Sequence, residues 1–164
     1  MIKSLRIDER LIHGQVAVAW CTTLGVDSIV VANDAAANDS VTTMSLKMAA
    51  PPHLRVVVKT VEDAIKLLND PRIVQRKVLL LVTNPRDAIT LIQKVEGIPQ
   101  INVGNFGMLA KQEKTSILAT SLSVTEEEYQ QFKELVALRP ESYYQMTPTL
   151  TPQLLRNLLE KERN

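Results

Sequence analysis

The sequence predicts an α/β fold: an open, mainly parallel, doubly wound sheet with helices on both faces and an antiparallel edge. Short β-branched runs alternate with amphipathic stretches, an order typical of repeated strand–helix–strand units with right-handed crossovers. Residues 78–82 are apolar at every position, as in a central parallel strand that is buried on both faces. The length of 164 residues is typical of one domain, so we expect residues 1–164 to form a single domain.

Five apolar runs are the candidate strands of the parallel part of the sheet. In chain order they are residues 2–7, 28–32, 54–59, 77–82 and 100–103. Further along the chain, residues 117–119 and 122–124 are two short apolar runs separated by Thr120-Ser121. That spacing predicts a tight antiparallel pair, which we place at one edge of the sheet.

Cap residues mark where the helices begin. The candidate N-caps of the later helices are Asp39 or Ser40, Thr60, Asn84, Thr125 and Thr151. Glu128 completes a capping box with Thr125, and a proline fills the first helical position after Asn84 and after Thr151. The first helix follows His13-Gly14, and its predicted inner face consists of Val16, Ala19, Trp20 and Thr23.

Composition and charge exclude several classes of protein. The chain has 19 Lys+Arg against 18 Asp+Glu, a net charge of +1, which argues against a general nucleic-acid-binding surface. Its one cysteine, Cys21, cannot form an internal disulfide or a cysteine-rich metal cluster, and we expect it to be buried packing. The longest apolar run, residues 16–21, is far shorter than the ~20 residues of a membrane span. Charged residues near the start argue against a signal peptide, so we expect a cytoplasmic protein.

The loop after the first strand is the most informative part of the chain. His13 stands directly before Gly14 and a helix, where free backbone N–H groups and the helix dipole favour an anion. Gly14 lets the backbone approach an anionic group closely, and Arg10 brings a planar fork of donors that suits phosphate oxygens. An imidazole with an arginine and a helix N-terminus around it suits a phosphohistidine site at His13, with Gly14 and Gln15 as the residues whose backbone N–H groups would face the phosphate. The alternative is an ordinary surface histidine beside an ordinary surface arginine.

The stretch Arg-Ile-Asp-Glu-Arg-Leu-Ile-His-Gly-Gln-Val, residues 6–16, resembles the signature of a known family. The family comprises the IIB components of mannose/fructose/sorbose-type sugar phosphotransferase systems. The resemblance extends over essentially the whole chain, through Trp20, residues 29–34, 49–51, 102–105 and 123–125. It implies an open, mainly parallel α/β sheet and a phosphocarrier enzyme, a transferase that moves a phosphoryl group from a protein phosphohistidine to a sugar.

The resemblance also implies roles for individual residues and partners. His13 matches the histidine that accepts the phosphoryl group on Nδ1 from a phosphohistidine of the IIA component. It then passes the group to a sugar that the membrane components IIC and IID transport, so the chain would sit at the inner face of the cell membrane. Arg10 matches the arginine that contacts the phosphate. No metal or cofactor is implied, and a homo-oligomer stays open.

Three further residues have two interpretations each. Asp8 orients Arg10 or the loop, or else it caps a turn or pairs with a neighbouring arginine. Asp34, after the second strand, hydrogen-bonds the His13 ring or a loop amide, or else belongs to ordinary turn chemistry. Phe106, in the turn of residues 104–107, is either an exposed apolar contact for the partner or part of the core.

Other functions have less support. A phospho-aspartate receiver needs an acceptor aspartate at the end of the third strand, where this chain has Lys59-Thr60. A nucleotide-binding module needs a G-x-G-x-x-G or P-loop motif, and neither is present. A regulatory relative that has lost transfer is disfavoured because Arg10, His13 and Gly14 are all present. The sugar itself cannot be read from the sequence.

Overall fold

The computed structural model describes residues 1–109 and 115–163, and for Gln15 it describes the backbone alone. Strands and helices alternate along the first two thirds of the chain, as the sequence predicts. In chain order the elements are β1 (Ile2–Ile7), α1 (Gly14–Leu24), β2 (Ser28–Ala32), α2 (Asp34–Ala37), α3 (Ser40–Ala49), β3 (Arg55–Lys59), α4 (Val61–Leu68), a 3₁₀ helix (Pro71–Gln75), β4 (Val78–Val82), α5 (Pro85–Lys94), β5 (Ile101–Val103), β6 (Ser116–Ala119), β7 (Leu122–Val124), α6 (Glu126–Leu138), β8 (Tyr143–Tyr144), β9 (Gln153–Leu154) and α7 (Leu155–Arg163).

Seven strands form one sheet in the order β3-β2-β4-β1-β5-β8-β9. Strand β1 lies in the middle and pairs in parallel with β4 on one side and β5 on the other. Strand β8 pairs in parallel with β5 and antiparallel with β9. Because the parallel strands run in one direction, the loops that follow β1, β2, β4, β5 and β8 lie along the same edge of the sheet, where open α/β sheets bind ligands.

Helices cover both faces of the sheet, and alternate side chains of β4 show why its sequence is apolar throughout. Leu80 points into a core formed with helices α4 to α7. Leu79 and Leu81 point the other way, into a core that contains Trp20 of α1 and Leu46 of α3. The prediction of a doubly wound sheet is therefore confirmed.

The predicted inner face of α1 is correct at Trp20 and at Val16, which is partly buried against the core that contains Leu46, and wrong at Thr23. The buried side chains are Ala17, Trp20 and Cys21, with Leu24 partly buried against the same core, whereas Thr23 is exposed. These positions follow the spacing i, i+3, i+4 and i+7, so the stripe is rotated by one residue from the predicted one. The predicted burial of Trp20 and Cys21 is confirmed, and burial raises the pKa of the Cys21 thiol to about 11.

The antiparallel pair predicted at the edge of the main sheet forms a sheet of its own. Strands β6 and β7 pair antiparallel, as predicted, but they lie in a separate two-stranded sheet. The antiparallel edge of the main sheet is made by β8 and β9 instead. Since β9 occupies Gln153–Leu154, the last helix begins at Leu155 and not at Pro152. Strands of two residues carry no periodicity, which is why the sequence did not reveal them.

The other predicted helix starts are confirmed by side-chain hydrogen bonds. The caps that accept a backbone N–H from the first turn are Asp39, Thr60, Asn84 and Thr125. Thr125 and Glu128 form both bonds of the capping box. Within residues 1–109 and 115–163, no helix combines the length and the apolar character needed to cross a bilayer.

Candidate functional site

The loop after β1 carries His13 to the carboxyl edge of the sheet. The Leu11 N–H donates to the Asp8 carbonyl at 2.9 Å, which closes a turn. Leu11 has φ 58° and Gly14 has φ 47°, both in the left-handed region that glycine enters freely and leucine does not. Leu11 and Ile12 are buried, so core packing holds the loop in this shape. His13 is thereby placed as the N-cap residue of α1.

Asp8 is completely buried and holds the imidazole of His13. Its Oδ2 lies 3.0 Å from His13 Nε2, and its Oδ1 accepts the backbone N–H of Arg10 at 3.0 Å. An ionised carboxylate only accepts hydrogen bonds, so the proton of the neutral ring sits on Nε2 and Nδ1 keeps the lone pair. The His13 side chain is 21% exposed. One ring nitrogen is therefore held by the protein, and the other keeps a lone pair that is available to an incoming group.

Arg6 is a second buried charge, and it lies behind Asp8. Its Nη2 donates to Asp8 Oδ2 at 3.2 Å and to the Met146 carbonyl at 3.0 Å. Its Nη1 donates to Asn102 Oδ1 and, at 3.0 Å, to the Gln145 carbonyl. The guanidinium thus joins β1, β5 and the loop after β8 to the carboxylate that orients His13.

The Trp20 ring and the Gly104 backbone pack closely around the Arg6 guanidinium. The Trp20 ring centroid lies 5.1 Å from the guanidinium carbon, and the indole Nε1 donates to the Met146 carbonyl at 2.9 Å. A Cβ at Gly104 would lie 2.1 Å from Arg6 Nη2. The sequence predicts Arg6 only as a pairing partner of Asp8, and the two side chains do pair, at 3.2 Å. The signal for its larger role is a charged residue between Leu5 and Ile7 at the end of the first strand, since a buried charge requires partners.

Hydrogen bonding and charge keep Asp8 ionised although it is buried. Burial acts to raise the pKa of Asp8, but the hydrogen bond with His13, the charge of Arg6 and the N–H of Arg10 outweigh it, and the pKa is lowered. Burial lowers the pKa of Arg6, and the charge of Asp8 opposes that change. The site therefore holds a carboxylate between a fixed cation and an imidazole.

The three residues predicted to bind phosphate flank His13. The Arg10 side chain is exposed, and no hydrogen bond or ion pair within residues 1–109 and 115–163 involves its guanidinium. Gly14 is exposed at the start of α1, and a Cβ there would meet no atom within 4 Å, so glycine is needed for its positive φ. Gln15 follows in the first turn of α1, and its side chain lies outside the described part of the chain.

Two other predicted site residues do not join the site. Asp34 accepts the N–H of Val61 at 2.9 Å, so its carboxylate stabilises the first turn of α4 and does not contact His13. Phe106 is 5% exposed and packs edge-to-face on Phe132, with ring centroids 5.3 Å apart. The prediction that Phe106 is an exposed partner contact is therefore wrong, because α6 covers the ring.

Comparisons with known proteins agree on one family. Residues 2–164 match the family model described as the PTS system sorbose subfamily IIB component. A probable phosphotransferase enzyme IIB component of Streptococcus pyogenes serotype M6 is 41% identical over 140 residues, 84% of this chain and 86% of that protein. The mannose-specific EIIAB component of Escherichia coli K12 is 39% identical over 132 residues, 80% of this chain and 40% of that protein. The crystal structure of the IIBSor domain of the Klebsiella pneumoniae sorbose permease superposes with a TM-score of 0.90 at 28% identity, covering 98% of this chain and 97% of that one.

Proposed function

The chain belongs to the sorbose-subfamily IIB components of the sugar phosphotransferase system, and from this premise we propose that His13 is its phosphocarrier residue. Nδ1 of His13 accepts a phosphoryl group from a phosphohistidine of the IIA component. The group then passes to a sugar during uptake through IIC and IID. The observation that carries this proposal is the 3.0 Å contact between His13 Nε2 and the buried Asp8 carboxylate, which leaves Nδ1 as the nucleophilic nitrogen.

The Asp8 carboxylate suits the charge change of the transfer. The N–P bond of the donor breaks as a bond forms between phosphorus and Nδ1 of His13. Since His13 keeps its Nε2 proton, its ring becomes positive, and the ionised carboxylate at Nε2 stabilises that charge. On transfer to a sugar hydroxyl the N–P bond breaks again and the ring returns to neutral. The hydroxyl proton leaves to an acceptor at the sugar site.

Arg10 and the start of α1 are suited to hold the phosphoryl oxygens. Phosphoryl transfer has a loose transition state with its charge spread over three oxygens, so positioning and positive potential are what the site must provide. The Arg10 guanidinium is exposed two residues after Asp8, and Gly14 and Gln15 begin a helix whose first N–H groups lack intrahelical partners. We assign these three residues to phosphate binding.

The family also points to the partners. The name of the E. coli relative, mannose-specific EIIAB, joins a IIA to a IIB component, and the present chain covers 40% of it. We propose that a IIA component is the donor and that IIC and IID, with their bound sugar, are the acceptors. The chain would then act as one IIB domain over residues 1–164, in the cytoplasm at the inner face of the membrane.

Phosphorylation with a radiolabelled IIA donor tests the proposal. The chain has two histidines, and His53 is exposed next to Pro52, so His53→Ala is the matched control for His13→Ala. We expect acid-labile ³²P on the wild type and on His53→Ala, and none on His13→Ala, with the same circular dichroism for all three. Undiminished labelling of His13→Ala would refute the site.

A further inference from the structure

The carboxylate of Glu9 accepts four hydrogen bonds from the turn after β5. Its Oε1 accepts the Asn105 side-chain amide at 3.1 Å and the backbone N–H groups of Met108 at 2.7 Å and Leu109 at 2.9 Å. Its Oε2 accepts the Gly107 N–H at 3.0 Å. We call residues 105–109 the Glu9 turn. Three consecutive backbone N–H groups aimed at one anion form a nest, and here the protein fills the nest with its own side chain.

The opposite side of the Glu9 turn is fixed to the small sheet. The Phe106 N–H donates to the Ser121 carbonyl at 2.9 Å, and the Phe106 carbonyl accepts the Ser123 N–H at 3.0 Å. Gly107 has φ 79°, and a Cβ there would lie 1.9 Å from the Ser123 carbonyl oxygen. These contacts fix the conformation of the turn. Phe106 is buried in the core, whereas Met108 and Leu109 are exposed.

The Glu9 turn presents two exposed apolar side chains. Met108 is 46% exposed and Leu109 is 65% exposed. Ordering backbone costs about 1–2 kcal/mol per residue, and these two side chains bury too little surface to offset that cost. The hydrogen bonds that the turn donates to Glu9 stabilise its ordered conformation. A pair of apolar side chains that is exposed to solvent on an ordered backbone is suited to contact with another protein.

The position of Glu9 indicates which protein would contact Met108 and Leu109. Glu9 lies between Asp8, which holds His13, and Arg10, and its backbone N–H donates to the Asn105 carbonyl at 2.9 Å. The turn is thus bonded directly to the loop that carries the reacting imidazole. A donor histidine must come within bonding distance of His13 Nδ1, so the donor's surface must cover what flanks this loop.

We infer that Glu9 is a positioning residue that holds Met108 and Leu109 as an apolar docking contact for the phosphorylated IIA donor. This inference rests on the proposed function of His13. Among the described residues, Glu9 makes no hydrogen bond to the imidazole, and both of its oxygens accept donors of the turn. Its effect belongs to recognition of the donor, and the chemistry at Nδ1 belongs to His13 and Asp8.

Glu9→Gln is the first test, because glutamine keeps the size of the side chain but turns an NH₂ group toward N–H donors. We expect the KM for phosphorylated IIA to rise about tenfold while kcat stays within about twofold, since uniform binding of the donor is what is lost. Glu134→Gln is the matched control, because Glu134 is an exposed carboxylate of α6 that pairs with Arg86 of α5 at 3.1 Å. That variant keeps both constants.

Leu109→Ala is the second test, and it leaves the backbone bonds to Glu9 in place. We expect a several-fold rise in the KM for phosphorylated IIA without a change in Tm. In the double variant with Glu9→Gln, we expect the KM to rise by less than the product of the two single effects. Unchanged KM in both single variants, or a loss in kcat alone, would overturn the inference. So would an unchanged donor KM with slower transfer to IIC and IID, which would assign the turn to the acceptor. Absence of label on wild-type His13 is a different result, since it would remove the proposed function itself.

Discussion

Among single side chains, Asp8 makes the contacts that hold the candidate site together. Both of its oxygens are used: Oδ1 holds the loop through Arg10, and Oδ2 is shared by Arg6 and His13. This sharing fixes the ring orientation and selects the tautomer with the proton on Nε2, and in the proposed transfer the carboxylate would stabilise the positive ring of phosphorylated His13. A histidine without such a carboxylate would leave the choice between its two nitrogens open.

Replacement of Asp8 by asparagine removes the charge and keeps the size. We expect single-turnover phosphorylation of Asp8→Asn to slow by about 10²–10³-fold, comparable to the loss of one preorganised electrostatic group elsewhere. Stability also falls, because Arg6 is left as an unpaired buried cation. Asp34→Asn is the control, since the Asp34 carboxylate accepts the Val61 N–H in the first turn of α4 and does not contact His13. An Asp8→Asn rate within twofold of the wild type, measured by rapid quench, would contradict this role.

Arg10 gives a second prediction from a single side chain. Arg10→Lys keeps the charge but loses the bidentate fork for phosphate oxygens, so we expect transfer to slow by one to three orders of magnitude, about 1.4–4 kcal/mol. The exposed side chain makes a folding effect small. Arg86→Lys serves as the control, since Arg86 of α5 pairs with Glu134 of α6. Equal transfer rates in Arg10→Lys and the wild type would remove Arg10 from phosphate binding.

Among the elements, β1 and the end of β5 lie close together and enclose the buried guanidinium of Arg6. Arg6 on β1 pairs in register with Asn102 on β5, and Gly104 follows two residues later. Only a residue without a side chain leaves room for the guanidinium at that point. The two strands therefore determine where Asp8 stands, and through it the ring of His13.

The contact between Gly104 and Arg6 predicts the effect of adding one methyl group. A Cβ would lie 2.1 Å from Arg6 Nη2 and 2.5 Å from Cζ, so Gly104→Ala must displace the guanidinium. We expect a loss of stability of about 1–3 kcal/mol, as for other overpacked cores, together with slower phosphorylation. Gly97→Ala has a positive φ and open space around it, and we expect a smaller loss of stability with normal phosphorylation. Denaturant unfolding of both variants checks this, and equal losses with normal labelling would contradict it.

For the chain as a whole, Asp8 links stability to pH. Its pKa in the folded protein lies below the unfolded value of about 3.9. A carboxylate of this kind contributes its full stability above the unfolded pKa and loses it as the pH falls through the folded pKa. We expect the stability difference between wild type and Asp8→Asn to be constant from pH 7 to about pH 5 and to shrink below about pH 4. Urea unfolding across this range measures it, and a difference independent of pH would contradict the assignment.

Local patterns predict most of this fold because they depend on near neighbours in the sequence. The apolar run of β4 and the caps at Thr60, Asn84 and Thr125 are all confirmed. His13 also falls where the winding rule expects a ligand, at the carboxyl edge of the central strand. These features need no knowledge of what lies across the sheet.

Features that depend on distant parts of the chain could not be predicted in the same way. The carbonyls that Arg6 binds belong to residues 139 and 140 positions away. Burial of Phe106 depends on Phe132 of α6, and the contact of Asp34 depends on where α4 begins. Each is fixed by tertiary packing, which outweighs local composition at these positions.

The most direct measurement is the ¹⁵N and ³¹P NMR spectrum of the phosphorylated protein with ¹⁵N-labelled histidine. We predict one phosphorylated residue, His13, with phosphorus coupled to Nδ1 and a protonated Nε2 that keeps its hydrogen bond to Asp8. Phosphorus on Nε2 of His13, or on any other residue, would contradict the assignment of Nδ1 as the carrier atom.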